Sequence, residues 1–290
     1  TSVIDSGLAG VFKTAKDRGA KKVYGMRHGI KGLLDRQYVD LSEKIKTTMD
    51  IELLKRTPSS YLGSCRYKLP EIKDDRETYD KIFEILDELE IKFFFYIGGN
   101  DSMDTIKKLS DYAILIGSDI RFMGVPKTID NDLAVTDHTP GYGSAAKFIA
   151  STMKEIIRDG LVYDYPTITI VEIMGRNAGW LTAAAALAKG DDCEGVDLIY
   201  LPEKTFDIDH FMDRVKELTA KGRSIVVAIS EGIRVLDGRY VFELSDHVEF
   251  VDAFGHKQLA GSAKFLSNQI GADLGIRTRA IELSTLQRCA

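Results

Sequence analysis

Short apolar runs that stop at glycine, proline or a polar turn recur along the chain, and that rhythm limits the fold more than any other feature. The runs read KKVYGM, KFFFYIGG, YAILIG, TITIVEIMG, DLIYLP, SIVVAIS and RAIELS. Between them lie helix-length amphipathic stretches, among them Glu77 to Glu90, Ser144 to Ile157, Ala178 to Ala188 and His210 to Ala220. Strand-like runs alternating with helical ones predict repeated βα units. Runs such as FFFYI are apolar at successive positions rather than at every second one, which predicts parallel sheets covered on both faces by helices. The expected class is α/β.

A single core stops growing near roughly 250 to 300 residues, so 290 residues allow one large domain or two mid-sized ones. No Pro- or Ser-rich linker marks a boundary. The best candidate is HTPGYGSA (138 to 145), where Pro140 and two glycines precede a helical stretch. A net charge of -5 gives no basic footprint for nucleic acid. No apolar run approaches the roughly 18 residues of a membrane span, and the first ten residues lack the basic start of a signal peptide. Cys65, Cys193 and Cys289 are scattered and lack C-x-x-C spacing, which disfavours a disulfide framework or a zinc site and suits a reducing cytosol. His28 and His256 are lone histidines, more often structural than ligating.

In open α/β sheets ligands gather beyond the carboxyl ends of strands, so the polar junctions after each run are the places for chemistry. In GGNDSMDT (98 to 105), Gly98 and Gly99 let the backbone turn sharply toward an anion ahead of a helix start. The same residues also read as a tight turn with Asn100, Asp101 or Ser102 as helix cap. If phosphate binds there, Asp101 requires a metal between them, and Mg²⁺ suits that place. In PKTIDND (126 to 132), Asp130 and Asp132 can face one side of a pocket, one as base and one holding metal, or form a surface turn. Lys127 beside them is an ion-pair partner or a phosphate clamp. In MGRNAGW (174 to 180), Arg176 can fork onto a phosphate or pair with Glu172 or Asp191. In SEGIR (230 to 234), Glu231 can accept sugar hydroxyls or cap a turn. Together these junctions favour a pocket for a phosphorylated polyol.

Taken in order, SGLAGVFKTA, VYGMRHGIKGLL, LGSCRYKLPE, YIGGNDSMDT, PKTIDND, IVEIMGRNAGWL, AISEG and RTRAIELSTLQR resemble the phosphofructokinase family over nearly the whole chain. The resemblance implies two Rossmann-like lobes, each with a mostly parallel helix-covered sheet: 1–141 for the phosphoryl donor, 142–286 for fructose 6-phosphate, and 287–290 beginning a return to the first lobe. It implies that Asp130 removes the proton of the sugar 1-hydroxyl, with Lys127 and Thr128 at the transferring phosphoryl. Asp132, Met174, Gly175, Arg176, Glu231, Arg279 and Arg288 are implied to bind the sugar phosphate. Gly98, Gly99, Asn100, Asp101, Ser102 and Arg66 are implied to bind the donor, with Mg²⁺ held by Asp101, Asn100 and Asp132. It further implies a cytoplasmic glycolytic phosphotransferase that acts reversibly as a homodimer or homotetramer, with arginines reaching into a neighbour's sugar-phosphate site.

The donor is the finer question. ATP-dependent members usually have glycine where Asp101 and Lys127 stand here, whereas pyrophosphate-dependent members have Asp and Lys. Asp101 puts bulk and negative charge in the path of a nucleotide α-phosphate, and Lys127 offers a cation to a phosphate leaving group. Pyrophosphate is therefore expected, with an ATP-dependent enzyme and a non-catalytic sugar-phosphate-binding subunit as the alternatives. Departures from the family pattern are Asn100 in place of a metal-binding aspartate, Thr285 in place of a histidine and Thr167 in place of an arginine. The family's first strand and glycine loop are expected before Thr1, and its pattern continues past Ala290.

Overall fold

The structure, a computed structural model, describes residues 3–245 and 261–289; His256 lies outside them. The chain forms two compact units that divide between Thr128 and Ile129, earlier than the expected boundary after Gly141. The PKTIDND junction is therefore where the chain changes unit: Lys127 and Thr128 belong to the first, Asp130 and Asp132 to the second. Gln287 and Arg288 also belong to the second unit, and only Cys289 among the last described residues joins the first.

The first unit runs α1 (Val3–Asp17), β1 (Tyr24–Met26), α2 (Gly29–Leu34), β2 (Tyr38–Asp40), α3 (Leu41–Lys44), α4 (Thr48–Lys55), α5 (Arg76–Glu88), β3 (Phe93–Gly98), α6 (Asn100–Ile116) and β4 (Arg121–Pro126). β1 and β2 pair antiparallel, while β3 and β4 pair parallel with Gly98 opposite Pro126. Its main core joins Tyr79, Ile82, Phe83 and Leu86 of α5 to Leu109 and Tyr112 of α6 and Phe94 of β3. YAILIG, expected as a strand, is the end of α6. Leu109, Tyr112 and Ala113 are buried at helical spacing while Ile114 and Leu115 face outward, so the apolar run is two faces of one helix rather than a strand. Gly117, left-handed at φ 69, ends it. β3 also departs from expectation, with Phe94 buried and its neighbours Phe93 and Phe95 exposed.

The second unit contains α7 (Tyr142–Gly160), β5 (Ile168–Ile173), α8 (Trp180–Ala183), β6 (Leu198–Tyr200), α9 (Ile208–Thr219), β7 (Ile225–Ser230), α10 (Ser262–Leu274) and β8 (Thr278–Glu282), and a final 3₁₀ turn, Ser284–Arg288. Its sheet has the order β6-β7-β5-β8 and is parallel throughout. β5 and β7 are buried at every position, as helices on both faces require. Ile168 and Ile170 pack with Phe211 and Val215 of α9 and Leu266 and Ile270 of α10. Val171 and Ile173 turn the other way, onto Ala145 and Ile149 of α7 and Leu181 of α8. The period of two places Glu172 on the α10 face, where the pattern calls for another apolar residue. Among the described residues no helix is long and apolar enough to cross a membrane.

Candidate active site

In the first unit the turn from β3 into α6 is built on glycine. A Cβ at buried Gly98 would stand 1.9 Å from Ser102 Oγ. The Gly99 carbonyl accepts the N–H groups of Ser102 and Met103, and Gly99 itself is the N-cap residue, with no side chain to cap the helix. The N-cap position falls on Gly99, so Asn100, Asp101 and Ser102 lie inside the first turn of the helix. Asn100 and Asp101 are exposed in the first turn of α6, where N–H groups and the helix dipole favour an anion. The end of β4 lies alongside: Lys127 N donates to Gly98 O over 2.9 Å, and the Lys127 carbonyl lies 3.7 Å from where a Gly99 Cβ would stand. The structure thus brings the backbones of Gly98, Gly99 and Lys127 together from sequence-distant strands. Arg66, exposed, lines a cavity of about 390 Å³ with His28, Lys31, Asp35, Gln37, Ser64 and Cys65.

In the second unit the turns after β5 and β7 interlock. Gly175 has φ 130, and a Cβ there would come within 2.4 Å of the Ala178 carbonyl; a Cβ at Gly232 would lie 1.9 Å from the Arg176 carbonyl. Both positions therefore need glycine, one for its conformation and both for close approach. Gly175 N donates to Glu231 Oε1 over 3.2 Å, Ser230 Oγ donates to Gly175 O over 2.7 Å, and Gly232 N donates to Ser230 Oγ over 3.0 Å. Met174 N donates to Oε1 of fully buried Gln287 over 3.0 Å. That bond ties the turn before Arg288 to the M-G-R segment.

Burial pushes the Glu231 carboxyl up to about 7, with the negative charges of Asp130 and Glu172 acting in the same direction. The Gly175 N–H and the Arg176 cation oppose them. Asp130, Arg176 and Glu231 thus share one electrostatic field. Between the two aspartates, Asn131 is left-handed at φ 57 and buried. Its Oδ1 accepts Thr139 N over 2.8 Å and its Nδ2 donates to Asp137 O over 3.0 Å. Asn131 pins the loop that presents Asp130, and asparagine tolerates that backbone region better than most residues.

Other expected residues stand apart. Arg279 lies opposite Thr169, near the amino end of β5, where its guanidinium donates to Asp159 over 2.9 Å and to Tyr163 Oη over 2.8 Å. The M-G-R and Glu231 cluster lies at the other end of the sheet. Glu172 turns to α10, where its Oε2 accepts Ala263 N. No group of three or more His, Cys, Asp or Glu side chains gathers as a metal site among the described residues. Gln287, Ser230 and Asn131 are the positions that motif spacing missed. Only the identity of Asn131 in a turn carried a signal, since side chains packing into distant turns leave no periodic trace.

The phosphofructokinase family model matches residues 1–290, and the chain belongs to that family. It is 42% identical over 294 residues to a Rhodospirillum rubrum protein named pyrophosphate–fructose 6-phosphate 1-phosphotransferase, covering 99% of this chain and 70% of that protein. A Xanthomonas campestris protein of the same name is 41% identical, covering 100% of this chain and 68% of that one. The crystal structure of a pyrophosphate-dependent phosphofructokinase from Nitrosospira multiformis superposes with a TM-score of 0.84 at 32% identity, covering 100% of this chain and 68% of that chain.

Proposed function

We propose that this chain transfers a phosphoryl group from pyrophosphate to the 1-hydroxyl of D-fructose 6-phosphate, giving phosphate and D-fructose 1,6-bisphosphate, reversibly and within glycolysis. The observation that carries the sugar side is the interlock of the turns after β5 and β7 in one unit, where Gly175 N donates to Glu231 Oε1 and Gly232 closes on the Arg176 carbonyl, with Asp130 and Arg176 acting on the Glu231 carboxyl. Asp130 takes the proton as the sugar oxygen attacks phosphorus, the P–O–P bridge breaks and phosphate leaves. A base so placed contributes roughly 10² to 10⁴ in rate. Glu231 accepts sugar hydroxyls, and Met174, Gly175, Arg176 and Arg288 hold the sugar phosphate, with Asp132 beside them.

On the donor side, Gly98 to Ser102, Lys127, Thr128 and Arg66 receive pyrophosphate. The adjoining backbones of Gly99 and Lys127 support this, as does the exposed first turn of α6 with its glycine N-cap. Phosphofructokinases are generally Mg²⁺-dependent. The metal usually keeps several waters and takes one or two protein carboxylates with substrate phosphates, so it does not require a cluster of three protein ligands, of which there is none among the described residues. Asp101 would hold the ion with Asn100, and the bound ion would neutralise charge on the donor.

Arg279, at the amino end of the sheet, suits the sugar-phosphate site of a second copy, as a homodimer or homotetramer would provide. A cytoplasmic location, expected from the cysteine pattern, belongs to the same proposal. The test is Asp130→Ala assayed with pyrophosphate and fructose 6-phosphate: a fall in kcat of about 10² or more is expected, and unchanged kcat would remove Asp130 as the base.

A further inference from the structure

The carboxylate of Glu172 is buried where a strand's period calls for an apolar residue, and its partners explain why. Gly261, the residue before α10, has no side chain to cap that helix. Four N–H groups at a helix start lack partners within the helix, and a negative charge there is favourable. Glu172 supplies the cap from β5: its Oε2 accepts Ala263 N over 2.8 Å, and the N–H groups of Gly261 and Ser262 favour its charged form. The same residue's carbonyl accepts Leu283 N over 3.2 Å. One residue therefore holds the start of α10 and the end of β8 against β5, two positions before Met174.

We propose that Glu172 is a positioning residue for the sugar-phosphate site. By capping α10 from the strand, it fixes the M-G-R turn, and through the Gly175 N–H to Glu231 bond it fixes the orientation of Glu231. The inference rests on the reading of that cluster as the fructose 6-phosphate site. A cap bonded to the buried Ala263 N–H is not interchangeable with an apolar residue, because removing it leaves a buried donor unsatisfied.

Charge couples the two glutamates as well. Facing Glu172 are Glu282 of β8 and the N–H groups opening α10; facing Glu231 are Asp130, Glu172 and Arg176. Neutralising Glu172 removes one repulsive neighbour of Glu231, so the Glu231 pKa should fall.

The experiment is steady-state kinetics on the full chain. Glu172→Ala should raise KM for fructose 6-phosphate by about tenfold or more while leaving KM for pyrophosphate within about twofold. Glu172→Gln, which keeps shape and one acceptor, should recover most of that loss. It should also shift the inflection of the pH profile of KM for fructose 6-phosphate to lower pH. If Glu172→Ala folds, an unchanged KM for fructose 6-phosphate, or equal rises for both substrates, overturns the inference. If it does not fold, an unmoved pH profile in Glu172→Gln does so. Arg176→Ala is the control: if it leaves KM for fructose 6-phosphate unchanged, the site assignment itself has failed, whereas a raised KM there beside an unaffected Glu172 variant rejects only the positioning role.

Discussion

The N–H of Gly175 donates to Oε1 of Glu231 across 3.2 Å, adding a side-chain bond between the turns that follow β5 and β7. Burial moves the Glu231 carboxyl from its ordinary 4.5 up to about 7. Burial does the same to Glu172, also to about 7. Both glutamates bind a proton more tightly folded than unfolded. Their contribution to stability is complete below pH 4.5, falls as pH rises through 7 and is lost above it. At one pKa unit per roughly 1.4 kcal/mol, each accounts for on the order of 3 kcal/mol. Thermal unfolding followed from pH 5 to 8 should show Tm declining across that window, and Glu231→Gln should flatten the decline.

Gly232 predicts a coupled loss. A Cβ there would meet the Arg176 carbonyl at 1.9 Å, and backbone cannot yield as a side-chain tip can. Gly232→Ala should destabilise the protein by about 1 to 3 kcal/mol. It should also raise KM for fructose 6-phosphate more than KM for pyrophosphate, because the displaced group is Arg176. Denaturant titration beside steady-state kinetics checks both.

At the ends of β3 and β4, Asp101 and Lys127 are charged side chains on adjoining turns. On the roles proposed for them, replacing both with glycine would remove a cation for the leaving phosphate and a carboxylate that crowds a nucleotide. Pyrophosphate-dependent kcat/KM should fall by about 10² or more. ATP should bind better, as competition against pyrophosphate would show, without efficient ATP turnover following.

The second unit was more legible in sequence than the first. TITIVEI and SIVVAIS are buried at every position of β5 and β7, so unbroken apolar runs reported a parallel sheet faithfully. YAILIG misled because three β-branched or long apolar residues follow Tyr112 and Ala113, and composition outweighed the helical spacing of the buried ones. The junction glycines were legible because the turns beyond the strands require them, Gly175 for its φ of 130 and Gly232 for its approach to the Arg176 carbonyl. Glu172 was not, since its partner at Ala263 lies 91 residues away and nothing local signals a cap supplied from a strand. Arg279 carried the right chemistry but its placement depends on strand register, which puts it opposite Thr169 rather than beside Arg176.

The most direct measurement of the proposed activity is turnover of the full chain on fructose 6-phosphate with Mg²⁺, comparing pyrophosphate with ATP as donor. Fructose 1,6-bisphosphate should form with pyrophosphate, with kcat/KM for ATP lower by at least about 10². Turnover that prefers ATP would contradict the roles given to Asp101 and Lys127, and no turnover with either donor would contradict the proposed activity.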